Sequence, residues 1–159
     1  MQGRMKRHQL TKEEIETLLL STKIGRIATQ NENGFPYITP VHYVLVEGKI
    51  YIHGLSKGQK ISNIAANDMV CFEVEWMGDL VFKGPSSCNT NTNFESVVIF
   101  GTAAVIADMD RKREILKAIV QKYTPELVHL EFPDNMMKAT AVIEITPVET
   151  TGKYYRHSS

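Results

Sequence analysis

The residues best suited to chemistry lie between positions 36 and 60. The run Pro36-Tyr-Ile-Thr-Pro-Val-His-Tyr-Val44 has the character of a strand and carries hydroxyl, phenol and imidazole groups. A second run, Lys49-Ile-Tyr-Ile-His53, leads into Gly54-Leu-Ser-Lys-Gly-Gln-Lys60, a polar segment that opens a predicted helix. Free N–H groups at a helix start, beside cationic side chains, favour a phosphate. These runs predict a site for a phosphate-bearing cofactor, and a flavin is the one we expect.

The predicted phosphate site consists of Ser56, Lys57, Gly58 and Lys60. Glycine allows the backbone to approach a ligand closely, and a lysine ammonium acts as a point charge on a phosphate. The alternative is a solvated loop with ordinary surface lysines.

Alternation along a strand divides the first run into two rows of side chains. Tyr37, Thr39 and Val41 form one row, and Pro40 and His42 belong to the other. These polar groups either contact the cofactor or face solvent. His53 ends the second strand, where it can reach a cofactor. Imidazole titrates near neutral pH, so His53 is a weak catalytic candidate, but no carboxylate is clearly placed to orient it and the catalytic residues stay unassigned.

Composition bounds the class of protein. The chain has 159 residues, of which 43% are apolar and 23% charged, as expected for one globular domain spanning 1–159 with its core at about 10–155. A formal net charge of zero argues against a nucleic-acid or membrane partner. The first residues lack a hydrophobic signal core, so we expect a cytoplasmic protein.

Neither a disulfide framework nor a metal motif is indicated. Cys71 and Cys88 belong to no C-x-x-C pair. Cys71, in an apolar run, is expected to be buried in a strand, whereas the roles of Cys88 and Trp76 stay unassigned. Arg26 either adds a second charge to the site or pairs with a carboxylate.

The pattern of apolar and turn residues predicts a mainly β (α+β) fold. Short turns between successive strands favour an antiparallel sheet, and the number of strands favours closure into a barrel. Thr11 and Glu14 form a capping box, and Asp108 caps the most amphipathic helix. The predicted helices are 11–20, 58–66 and 108–123, and the predicted strands are 24–30, 35–46, 49–53, 69–75, 80–83, 94–106, 139–146 and 149–155. Gly101 predicts a bulge or bend within the strand 94–106.

With these elements placed, the chain resembles the FMN-binding split β-barrel family related to pyridoxamine 5'-phosphate oxidase, and more narrowly its nitroimidazole-resistance (Nim-type) branch. The resemblance rests on the order and spacing of several segments over residues 10–155. Besides the two runs already quoted, they are Gly25-Arg-Ile-Ala-Thr29 and Phe94-Glu-Ser-Val-Val-Ile-Phe-Gly101.

The resemblance implies a six-stranded antiparallel split β-barrel with a few peripheral helices. It also implies a homodimer with FMN at the subunit interface. Thr39, Pro40, Val41 and His42 would lie along the isoalloxazine ring, His53 beside it and Lys60 on the phosphate. Ser96 would approach the cofactor of the partner subunit.

Two functions stay open. The first is an FMN-dependent oxidoreductase acting on a small planar substrate, such as a nitro-aromatic compound. The absence of a catalytic triad or nucleotide-binding loop fits a protein whose cofactor does the chemistry. The alternative is a non-enzymatic haem- or cofactor-binding protein, with His42, His53 or His129 as an axial ligand. The substrate and the electron donor stay unassigned.

Overall fold

A computed structural model describes residues 7–82 and 84–156, without the side chain of Ser87. These ranges contain seven β-strands and four α-helices. The elements in chain order are α1 (Lys12–Ser21), β1 (Gly25–Gln30), β2 (Pro36–Val41), β3 (Tyr43–Val46), β4 (Lys49–Leu55), α2 (Gln59–Ala66), β5 (Met69–Phe82), β6 (Thr90–Val105), α3 (Met109–Tyr123), α4 (Asp134–Ala139) and β7 (Thr140–Tyr155), with 3-10 turns at Ser87–Asn89 and Pro125–Leu127.

The strands form one antiparallel sheet in the order β2-β1-β5-β6-β7-β4-β3. The mainly β expectation is confirmed, but the expected six-stranded barrel is wrong. The predicted strand 35–46 is two strands, which pair with β1 and β4 at opposite edges of the sheet. No ladder joins these two edges in the described ranges, so the sheet is open. Only His42 separates β2 from β3, and the sheet must therefore curl to bring its edges close together.

Two other predicted strand breaks are irregularities within longer strands. β5 continues past Glu75 with a shift of register between Met77 and Leu80. β7 likewise replaces the two predicted last strands, and its register with β6 shifts between Phe100 and Gly101. The predicted bend at Gly101 is confirmed. A Cβ there would lie 2.4 Å from the carbonyl oxygen of Thr146, so the close approach of β7 requires glycine.

The helix starts follow from local sequence. In the capping box, Thr11 Oγ1 accepts the Glu14 N–H and the Glu14 carboxylate accepts the Thr11 N–H, as predicted. Asp108 caps α3 by accepting the Arg111 N–H at 2.7 Å, also as predicted. The helix α4 was not predicted. Every helix in the described ranges is too short or too polar to cross a bilayer.

Two apolar clusters hold the fold together. The larger one joins α1 and α2 to the sheet and includes Ile27, Phe72 and Ile99. The smaller one packs Ile115 and other α3 residues on Tyr51 and the neighbouring strands. Full burial of a side chain such as Ile115 stabilises the fold by about 1.5–3 kcal/mol. Cys71, expected in the core, is only half-buried, because its side chain lies on the opposite face of β5 from Phe72.

Candidate functional site

The candidate site is a gap between β2 and β4. β3 pairs with β4, with Tyr43 opposite Ile52. On the other side of His42 the chain pairs with β1 instead, with Val41 opposite Gly25. β2 and β4 therefore part at His42. The predicted residues Thr39, Pro40, Val41 and His42 flank the gap on one side, and His53 and the start of α2 flank it on the other.

His42 and His53 lie at the narrow end of this gap, next to the point where β3 and β4 still pair. Extending the β3–β4 register by one position sets His42 opposite His53, on the same face of the two strands. Burial lowers the pKa of His53, and the nearby charges of His42 and Lys60 lower it further. His53 is therefore neutral at neutral pH, with one ring nitrogen to donate a hydrogen bond and one to accept.

Three buried polar side-chain atoms in the described ranges have no hydrogen-bond partner. They are Thr39 Oγ1, His53 Nδ1 and Ser96 Oγ, and each belongs to a residue that the sequence analysis assigned to the site. A buried polar atom without a partner costs about 1–3 kcal/mol. Thr39 lies on β2 and His53 on β4, the two strands that part at His42.

The start of α2 is open to an anion. Gly58 precedes the helix with φ of 134°, a conformation that other residues rarely adopt. No side chain caps the first turn of α2, and no acidic residue lies in it, whereas side chains cap α1 and α3. The first N–H groups of α2 therefore lack intrahelical partners, which favours an anion.

Lys60 supplies the positive charge at this helix start. Its side chain is half-buried, and burial lowers the pKa of its ammonium group. Within the described part of the chain, no carboxylate pairs with it. A half-buried ammonium without a carboxylate fits an anionic ligand. Ser56 and Lys57 are exposed in the preceding loop, and the Ser56 N–H donates to the carbonyl of Ala139 at 3.1 Å, which ties this loop to the end of α4.

Asn63 fixes the position of α2, and the sequence analysis missed it. Only 1% of Asn63 is exposed. Its Nδ2 donates to Thr29 Oγ1 and to Asn31 Oδ1, each at 2.9 Å, and its Oδ1 accepts from Gln59 Nε2 at 2.7 Å. These bonds tie the helix to β1. The available signal was an asparagine in a helix interior, where it is disfavoured unless its side chain has partners.

Two predicted residues lie outside the gap. Ser96 is on β6, opposite Glu75 of β5 and Lys153 of β7, several strands from β2. Arg26 pairs with carboxylates of β5, at 3.4 Å to Glu73 and 2.9 Å to Glu75. Of the two alternatives for Arg26, the structure shows pairing with carboxylates. Arg26 therefore adds no unpaired charge to the site.

The remaining candidates are dispersed. Cys88 and His129 are exposed in or next to 3-10 turns, and Trp76 is half-exposed. In the part of the chain that the structure describes, no three histidine, cysteine or acidic side chains cluster as metal ligands. Nothing in the structure assigns a role to Cys88 or Trp76.

Comparisons with known proteins agree with this architecture. A family model described as pyridoxamine 5'-phosphate oxidase matches residues 11–154. No protein with a curated description matches the chain significantly. Among solved structures, a proposed 5-nitroimidazole antibiotic resistance protein from Bacteroides thetaiotaomicron is 24% identical, with a TM-score of 0.82, and the match covers 92% of this chain and 86% of that one.

The names of two further similar solved structures refer to flavin or haem cofactors. The flavocytochrome Anf3 from Azotobacter vinelandii is 26% identical, with a TM-score of 0.87, and the match covers 99% of this chain and 73% of that one. A FAD and haem binding protein from Mycobacterium smegmatis is 23% identical, with a TM-score of 0.83 and coverages of 94% and 74%. Because the family model spans nearly the whole chain, the chain belongs to the pyridoxamine 5'-phosphate oxidase family, as the order of its motifs predicts.

Proposed function

We propose that this protein binds FMN in the gap between β2 and β4 and uses it as a flavin-dependent oxidoreductase. One observation carries the proposal: polar groups on the elements that flank the gap have no partner within the described chain. They are Thr39 Oγ1 and His53 Nδ1, with the unpaired ammonium of Lys60 beside the uncapped start of α2. Such groups are costly to bury unless a ligand satisfies them.

Each group has a defined task in this proposal. The Lys60 ammonium and the first N–H groups of α2 hold the phosphate. Thr39 and the neutral His53 exchange hydrogen bonds with the ring system, and exposed Pro40 lies beside it, whereas the side chain of Val41 packs in the core. Bound flavin supplies the electron transfer, and the chain binds and orients it. His42 closes the narrow end of the gap and limits access of water.

The proposed substrate is a small planar acceptor such as a nitro-aromatic compound, because the chain is similar to a proposed 5-nitroimidazole antibiotic resistance protein. The test is stopped-flow reoxidation of the reduced FMN-loaded protein by nitrofurazone without oxygen. We expect reoxidation to be faster than that of free reduced FMN and to saturate with nitrofurazone. A rate equal to that of free flavin, without saturation, would contradict the oxidoreductase function, even if flavin binds.

We further propose that the protein is a homodimer. The outer face of β5 and β6 exposes a row of large apolar side chains, including Met77 (66% exposed), Leu80 (60%) and Phe82 (74%). A continuous apolar face of this kind favours a symmetric partner. Ser96 lies on the same face, where its unpartnered hydroxyl could meet the cofactor of the other subunit.

The oligomeric state can be measured by light scattering at micromolar concentration. We expect a mass of twice the 18.0 kDa chain, and a monomer for Phe82→Glu. A wild-type monomer with FMN bound would contradict the dimer and, with it, a site shared between subunits.

A haem-binding function is the second candidate. The names of the Azotobacter and Mycobacterium neighbours mention a cytochrome or haem. In this chain, exposed His129 lies between the exposed apolar residues Val128 and Leu130, as an axial ligand on an apolar surface would. A Soret band after haem addition that His129→Ala removes, together with no affinity for flavin, would favour this function over the first.

A further inference from the structure

His42 is the only residue between β2 and β3, and its imidazole ring is nevertheless held in place. Its imidazole is exposed and stacks on the phenol ring of Tyr123, with the ring centroids 4.4 Å apart and the planes tilted by 32°. Tyr123 is the last residue of α3. The helix that packs on the outside of the sheet therefore ends directly beneath the narrow end of the gap.

The hydroxyl of Tyr123 is anchored to the backbone on both sides of this contact. It accepts the Tyr43 N–H at 2.9 Å and donates to the carbonyl of Lys23 at 2.7 Å, with the Tyr43 carbonyl also at 2.9 Å. Burial raises the pKa of Tyr123, so the hydroxyl stays protonated and able to donate at neutral pH. The phenol ring cannot turn away from His42 without breaking these hydrogen bonds.

We infer that Tyr123 is a positioning residue that holds the His42 imidazole against the ring system of the bound flavin. The inference rests on the proposed function, because it takes the flavin to occupy the gap. His42 lies between two ladders, and the ring of Tyr123 packs on its imidazole. Tyr123 therefore acts on the flavin ring and not on the phosphate, which distinguishes it from Lys60.

The expected effects of substituting Tyr123 follow from this separation between binding of the flavin ring and binding of the phosphate. Tyr123→Leu should weaken FMN and riboflavin alike, by about three- to tenfold, the range associated with one aromatic pair. Tyr123→Phe, which keeps the ring and loses the hydroxyl anchor, should recover part of this affinity. His42→Ala should lower affinity by a similar factor, and adding Tyr123→Leu to it should lower affinity no further.

The test is this cycle of variants, with flavin affinity measured by fluorescence quenching at a temperature where all the variants are folded. Additive losses in the cycle, or unchanged affinity in Tyr123→Leu, would overturn the inference.

A second measurement needs no flavin. The NMR signals of the His42 ring should carry a ring-current shift that Tyr123→Phe keeps and Tyr123→Leu removes. If the wild type binds no flavin, the proposed function fails. If the His42 signals are the same in Tyr123→Leu, the positioning contact itself is refuted, whatever the protein binds.

Discussion

Replacing Lys60 by alanine separates recognition of the phosphate from support of the fold. Lys60 is half-buried at the uncapped start of α2, without a carboxylate partner in the described chain. A charge-assisted hydrogen bond from this ammonium to a phosphate is worth about 1.5–3 kcal/mol. We therefore expect Lys60→Ala to weaken FMN binding about ten- to hundredfold. Riboflavin lacks the phosphate and should bind the variant and the wild type equally.

Titration calorimetry with both ligands measures this difference. Lys12→Ala is the matched control, because Lys12 is an exposed lysine at the start of α1, and it should change neither affinity. Lys138 would be a poor control, since the neighbouring Ala139 accepts the Ser56 N–H. If Lys60→Ala weakens riboflavin as much as FMN, Lys60 supports the fold and the assignment of the phosphate site is refuted.

Three further predictions concern stability, measured by urea unfolding. Asn63→Ala should lower the unfolding free energy by about 2–3 kcal/mol, because it removes three hydrogen bonds of a buried side chain, and a loss below 0.5 kcal/mol would contradict its role in fixing α2. Gly101→Ala should cost about 1–3 kcal/mol through the clash with Thr146, whereas Gly54→Ala, with open space around it, should cost less; equal losses would refute the packing argument. Burial lowers the pKa of Lys122 from 10.5 to about 8. Between these pH values the folded state has lost the proton and the unfolded state still binds it, so the unfolding free energy should rise from about pH 8 towards pH 10.5. Lys122→Met should remove this rise, which we put at about 1 kcal/mol because the ammonium is half-exposed and the face of Tyr43 favours its charged form; the same pH profile in both proteins would contradict the assignment.

Sequence reasoning succeeded where the cause of a structure is local. The caps at Thr11 and Asp108 each depend on a residue three positions further along the chain. The secondary structure of residues 53–60 also agrees with the prediction, because a strand end, a glycine and an uncapped helix start follow one another directly in the chain.

The sequence-based predictions were wrong where pairing between segments far apart in the chain determines the structure. Nothing in the residue types around His42 breaks a strand, and the division into β2 and β3 comes from pairing with two strands at opposite edges of the sheet. Gly78 and Pro147 look like turn residues, but the long ladders of β5 and β7 absorb them as irregularities. The hydrogen bonds of the Asn63 and Tyr123 side chains were not predicted, because their partners are far away in sequence.

The most direct test of the central claim is to identify the ligand of the purified protein. The absorption spectrum of the folded protein and the mass of the molecule released on denaturation should be recorded together. We predict the visible bands of oxidised flavin and the release of FMN. Release of FAD would contradict the choice of cofactor, and a colourless protein that leaves the fluorescence of added FMN unchanged would contradict the flavin site altogether.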